Sequence, residues 1–150
     1  MLDVSSVMSR RRVILFAAGL ACALGIVALL VGLSASKRRA ESLTCASAVT
    51  SICLAAHVWA DDHGGFMPTN FICMKEEISA PKILSCLQAR RTRTENWADF
   101  TPQNSTYEIV APGMRVDDTN TAFLRCTIHG HLGYSDTTVF DGVRRRHKFD

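Results

Sequence analysis

The chain has 150 residues and a formal net charge of +3, from 17 basic and 14 acidic side chains. That length holds one modest domain and an appendage. The mild charge excludes a nucleic-acid binder of the usual type, which concentrates a far more basic balance on one face.

Residues 13–33, VILFAAGLACALGIVALLVGL, contain no charged or amide side chain. A helix of that length reaches about 30 Å, the thickness of a bilayer's hydrocarbon core. A helix also pairs its own backbone polar groups, as lipid demands. Arg10, Arg11 and Arg12 stand directly before it, as in a signal sequence or a signal anchor. The apolar stretch exceeds the roughly 7–15 residues of a cleavable signal, which favours a retained anchor, although Ser34-Ala35-Ser36 offers a small-x-small cleavage site. Cys22 reads as a small apolar residue of the span, because Gly19 stands where a lipobox wants leucine.

Orientation is less marked than the span itself. Lys37, Arg38 and Arg39 follow it and nearly cancel the preceding arginines. Taking Arg10–Arg12 from the 17 basic residues and Asp3 from the 14 acidic ones leaves 14 and 13 beyond the span. Five cysteines lie there too: Cys45, Cys53, Cys73, Cys86 and Cys126. Disulfides persist in oxidising compartments, so this density places the C-terminal part outside the cytoplasm. The expected organisation is a cytoplasmic N-terminus (1–12), a transmembrane helix (13–33) and an extracytoplasmic head (34–150), in a single-pass protein of the cytoplasmic membrane.

The head opens with a helix over 38–63. Cys45, Val49, Ile52, Cys53, Ala56 and Trp59 recur at three- and four-residue steps and make one apolar face. DDHGGFMP ends it, since Gly64 or Gly65 takes the left-handed conformation and Pro68 blocks a restart. If span and stripe are continuous, one helix of about 75 Å runs from residue 13 to 63. Short strands follow. KILSC (82–86) is a candidate strand and 90–105 a polar loop. TYEIV (106–110) alternates into the turn at Pro112-Gly113, and AFLRCTI (122–128) is a further strand. TTVF and VRR flank Asp141-Gly142, a hairpin signal because a type I′ turn needs positive φ at both central residues. The fold class is α+β: a long N-terminal helix, transmembrane then amphipathic, packed on a small antiparallel sheet.

Several clusters bear on chemistry. Cys126-x2-His129-x-His131 offers thiolate and imidazole ligands, and Cys86 can complete the four that tetrahedral zinc needs. The spacing matches no standard zinc ribbon or finger, and an extracytoplasmic cysteine is more readily oxidised than metallated. A Cys86–Cys126 disulfide is therefore the favoured expectation, ahead of free thiols or a metal site. His57 and Asp61 share a helix face near His63, but two ligands do not make a site. Asp117, Asp118, Asp136 and Asp141 are oxygen donors for calcium or, more simply, turn residues bonding their own backbone. Arg90, Arg91, Arg93 and Arg144–Arg146 form basic clusters that a solvated face explains. Asn104-Ser105-Thr106 is a sequon, relevant only in a eukaryotic secretory pathway. No phosphate-binding glycine loop or serine elbow is present. No catalytic residue is nominated, and the expected protein is not an enzyme.

In order along the chain, several blocks resemble bacterial pseudopilin-like proteins that end in a domain marked by histidine, nine residues and Asp-Gly. His131, the intervening LGYSDTTVF, and Asp141-Gly142 carry that pattern. CASAVTSICLAAHVWADDHGGFMP is similar to the family's helix end. ILSC with Cys86, NSTYEIVAPG with Tyr107, and LRCTIHGH with Cys126 and His129 are similar to its later blocks. The resemblance covers about residues 40–146. It implies a membrane-anchored protein with a globular head and protein partners in type II secretion or a type IV pilus-like machinery. It also implies self-assembly through bundled helices, and in some relatives calcium in the head. One departure stands out. Prepilins carry a processing site and a glutamate at the fifth position of the mature helix, whereas Arg12 runs directly into VILFAAGL and residues 13–33 hold no glutamate. The expectation is therefore a structural envelope protein without cofactor. The alternative is an anchored or secreted metal-binding module using Cys86, Cys126, His129 and His131.

Overall fold

The computed structural model describes the backbone of residues 4–89, 93–141 and 144–147, and the side chains of 19–89 and 93–140. Gly142, Arg90 and Arg91 lie outside these residues, as do the side chains of Asp141 and Arg144–Arg146. The chain divides into two units, Met1–Ala40 and Glu41–Asp150. The fold is α+β, as expected.

The first unit is helical. Helix α1, Val4–Asp62, begins nine residues before the apolar span and continues into the second unit. Between residues 19 and 40 its described side chains are all at the surface: Leu20, Leu24, Leu29 and Leu30 are each 59–64% exposed. Covering a large aliphatic side chain is worth about 1.5–3 kcal/mol. Leaving this many in water forfeits on the order of 10 kcal/mol, comparable to a whole domain's stability. By length and composition this helix qualifies as a membrane span or a signal sequence.

The second unit combines residues 41–62 of α1 with a five-stranded antiparallel sheet. Strands β1 (Tyr107–Ile109), β2 (Ala122–Cys126), β3 (Leu132–Tyr134), β4 (Val139–Asp141) and β5 (Arg144–His147) lie in chain order, a simple meander. The stripe read from the sequence is the buried face of α1. Cys45, Val49, Ile52, Cys53 and Ala56 are at most 2% exposed, and Trp59 is half-buried. Gly133 in β3 allows the closest approach. A Cβ there would lie 2.5 Å from Cys53 Sγ and 2.6 Å from Val49 Cγ1. Phe123 and Leu124 of β2, Met67 and Met74 complete this core.

The helix stops as the glycines dictate. Gly65 N–H donates to Ala60 O at 2.9 Å around Gly64, whose φ is +68°. This is the six-to-one bond of a Schellman end, with the left-handed residue at glycine. KILSC departs from expectation: Pro81–Leu84 is a 3₁₀ turn, not a strand. Proline's fixed φ suits the first helical position, and Ala80 before it is extended. Two further 3₁₀ turns, Trp97–Asp99 and Pro102–Asn104, order the region read as a loop. Strand β3 escaped notice because it is only three residues long and centred on glycine. A β4–β5 hairpin does form here, but its turn is displaced from the expected one. Asp141 ends β4 and pairs with Arg144, so it is a strand residue rather than a central residue of the turn, and Gly142 lies outside the described residues.

Gly133→Ala should therefore destabilise the full chain by about 1–3 kcal/mol, the usual cost of overpacking. Urea denaturation in detergent, followed by tryptophan fluorescence, measures it. Gly130→Ser, at a position with open space around its Cβ but a φ of +72°, should cost less.

Candidate metal centre

Three segments far apart in sequence meet at the upper end of the buried stripe. Cys45 comes from α1. Cys86 follows the Pro81–Leu84 turn, and its N–H donates to Thr106 Oγ1 at 2.7 Å. Thr106 N–H in turn donates to Leu84 O at 3.0 Å, so the turn is tied to the residue before β1. Cys126 ends β2 directly opposite Tyr107 of β1. After it the chain reverses tightly, with Gly130 N–H donating to Cys126 O at 2.9 Å and Gly130 at φ +72°. This reversal brings His129 back over Cys126, its N–H directed at Cys126 Sγ at 3.5 Å.

The result is a cluster of Cys45, Cys86, Cys126 and His129, whose ligand atoms all lie within 4.8 Å of one another. Cys45 Sγ is 3.3 Å from Cys126 Sγ, and Cys86 Sγ is 3.3 Å from His129 Nδ1. All three cysteines are buried, with at most 2% exposure, and His129 is half-buried. A tetrahedral zinc ion, with bonds of about 2.3 Å to sulfur and 2.0 Å to nitrogen, spaces its ligands about 3.5–3.8 Å apart. The cluster can accept such a metal with small adjustments.

Its electrostatics are those of a shared proton. The Cys45 thiol donates to Cys126 and, with burial, this pushes the Cys45 pKa far up. The same bond holds Cys126 down to about 5, helped by the N–H groups of His129 and Ile128. Burial raises Cys86 and also raises Tyr107, whose hydroxyl lies 3.5 Å from Cys45 Sγ. Cys53 is the contrast: alone in the apolar core, it is pushed up to about 12 by desolvation. It is a packing residue, whereas Cys126 is a thiolate in waiting.

The four-ligand set expected from the sequence is thus altered in one place. Cys86, Cys126 and His129 come together, but His131 does not join them, and Cys45 takes the fourth corner. His131 is 1% exposed, hydrogen-bonds through Nε2 to Ser42 Oγ at 3.2 Å, and stacks against His129 with centroids 5.5 Å apart. It supports the site from beneath the helix. Cys45 was hidden as one more apolar position of the α1 stripe. The only hint in the sequence was that this stripe carried cysteine at a position any aliphatic residue could fill. Cys86 and Cys126, the pair expected to bridge, are free thiols, and the close sulfur pair is Cys45–Cys126.

The other candidates disperse. His57 Nδ1 donates to Ser135 O at 3.2 Å, while His63 stacks on Trp59 at 3.7 Å and donates to its carbonyl, so the two histidines do not face a common ligand with Asp61. The aspartates behave as turn residues. Asp118 accepts from the N–H groups of Asn120 and Thr121, Asp136 accepts from Thr138, and Asp117 pairs with Arg115. They form no calcium cluster among the described residues.

Burial orders the thiols by reactivity. Iodoacetamide on the native, metal-free chain should label exposed Cys73 within minutes. Cys45, Cys53, Cys86 and Cys126 should react only once the domain unfolds, as peptide mass mapping would reveal. Rapid labelling of Cys126 would mean that the cluster opens readily. No known protein family, curated protein or solved structure matches this chain.

Proposed function

We propose that this chain is a membrane-anchored, pilin-like structural protein of the bacterial cell envelope. In this reading the α+β unit lies outside the cytoplasmic membrane and acts through protein contacts, as a component or associate of a pseudopilin-containing secretion or pilus-like machinery. We assign it no catalytic role. One observation carries the reading: a helix whose described apolar residues from 19 to 33 all lie at the surface supplies, with its later turns, the buried spine of an antiparallel meander. Lipid is the solvent that such a stretch matches in length and chemistry. The histidine, nine-residue, Asp-Gly pattern and the order of the sequence blocks add the pseudopilin likeness. Without the glutamate that sets subunit register in filaments, the anchored head is the part of that likeness with most support.

A second reading is favoured by the cysteine–histidine cluster: an anchored module holding a metal such as zinc. The two are compatible, because a metal buried in the head would serve its structure. Calcium is the poorer fit, since it takes six to eight oxygen ligands and the cluster offers sulfur and nitrogen.

A phosphatase reporter that is active only outside the cytoplasm, fused after Asp150, should be active in cells. Deleting residues 13–33 should silence it and release the protein from carbonate-washed membranes. A cytosolic reporter would reject the envelope assignment. Cross-linking in native membranes should give ladders if copies polymerise, and a persistent monomer would confine the role to that of an anchored head.

A further inference from the structure

We propose that Cys45, Cys86, Cys126 and His129 bind one zinc ion as a closed structural site that staples α1 to the sheet and to the Pro81–Leu84 turn. This deepens the metal-binding reading and rests on it. The ligand set speaks for zinc: three sulfurs and one imidazole suit a borderline-soft, d¹⁰ ion that accepts tetrahedral geometry without preference of its own. The positions are prepared before any metal arrives. Cys86 is fixed by Thr106, and Cys126 by its β2 register and by Cys126 N–H donating to His131 O at 2.8 Å. Cys45 is fixed by the helix packed over Gly133.

The tight reversal at Thr127–Gly130 is an independent observation. It aims a backbone N–H at Cys126 Sγ, which stabilises a thiolate rather than a thiol, and left-handed Gly130 makes the reversal tolerable. Burial of all three sulfurs leaves no open coordination position for a substrate, so the site is structural rather than catalytic. Loading costs the thiol protons, which pass to solvent as the three sulfurs become thiolates. The zinc's two positive charges offset two of the three thiolate charges, so the complex carries one net negative charge.

A disulfide is the competing outcome. Cys45 and Cys126, 81 residues apart, already have sulfurs 3.3 Å from each other, against about 2.05 Å for a bond. Two-electron oxidation by a disulfide-exchange catalyst would join them and remove two of the four ligands. Metal and disulfide therefore exclude each other at this site.

The test uses the full chain in detergent, purified under reducing conditions without chelator. Elemental analysis should find one zinc per chain, and a chelator should remove it while lowering the melting temperature. Cys45→Ser, Cys86→Ser, Cys126→Ser and His129→Ala should each weaken zinc binding by at least about 100-fold, more than outer-shell changes do. Cys73→Ser and His131→Ala should retain the metal. Because a serine variant can fail to fold, Cys86→His provides a ligand-conserving check. Its cobalt-loaded form should keep a tetrahedral spectrum with reduced thiolate charge-transfer intensity. Protein taken from its native membrane with no metal and a Cys45–Cys126 bridge would overturn both the site and the metal-binding reading. Metal retained in Cys45→Ser but lost in His131→Ala would overturn this ligand set and leave the metal-binding reading intact.

Discussion

The architecture of the second unit depends on how closely α1 can approach β3. Gly133 has no side chain, and the space a Cβ would need is already taken by Cys53 and Val49. That contact fixes the height of the helix above the sheet and its rotation about its own axis. Cys45 lies eight residues before Cys53, a little over two turns and about 12 Å up the same face. It therefore comes down over the Tyr107–Cys126 pair, on β1 and β2, the next two strands beyond the glycine's β3. The cysteine cluster is a consequence of this packing.

The same geometry explains why two buried sulfurs shift in opposite directions, Cys126 downward and Cys53 upward. Cys53 and Cys126 are equally buried, each 0% exposed. Around Cys53 burial penalises the charge, the Asp136 carboxylate adds to that penalty, and no donor offsets it. Around Cys126 there are three donors, the Cys45 thiol and two backbone N–H groups, and they reverse the sign of the effect. A hydrogen bond to a charged acceptor in a low-dielectric interior outweighs the desolvation that the same interior imposes. Burial alone is therefore a poor guide to cysteine chemistry in this domain. The number of donors aimed at the sulfur decides.

Periodic features were legible in the sequence, and three-dimensional coincidences were not. The α1 stripe from Cys45 to Trp59, its end at Gly64-Gly65, and strands β1 and β2 all follow local rules of spacing and glycine conformation. The Pro81–Leu84 segment misled because apolar content suggested a strand, whereas the proline at its head preset a helical φ. At the site, Cys126 and His129 were visible as a pair, since only two residues of turn separate them. His131 looked like a third ligand because it is near in sequence, but β3 begins just beyond it and the chain has already left the turn. Cys45 could not be seen as a ligand: nothing in 81 residues of separation marks it as the neighbour of Cys126. Only the glycine contact in β3 brings it there.

The cluster also changes which argument bears the weight of placing the protein in the envelope. Five cysteines beyond the span suggest an oxidising compartment if they pair, because paired sulfurs need one. Cys53 is a packing residue, Cys73 stands exposed, and the remaining three meet at a single point with a histidine. Three sulfurs and an imidazole converging in this way suit a reduced, metal-loaded state as well as an oxidised one. Cysteine count therefore no longer discriminates between compartments. The apolar helix bears on a different point: its exposed leucines suit a low-dielectric surrounding, as in a membrane span or a signal sequence, and are neutral as to the side on which the second unit lies. A site able to hold either zinc or a disulfide would remain structurally useful in a reducing and in an oxidising compartment alike.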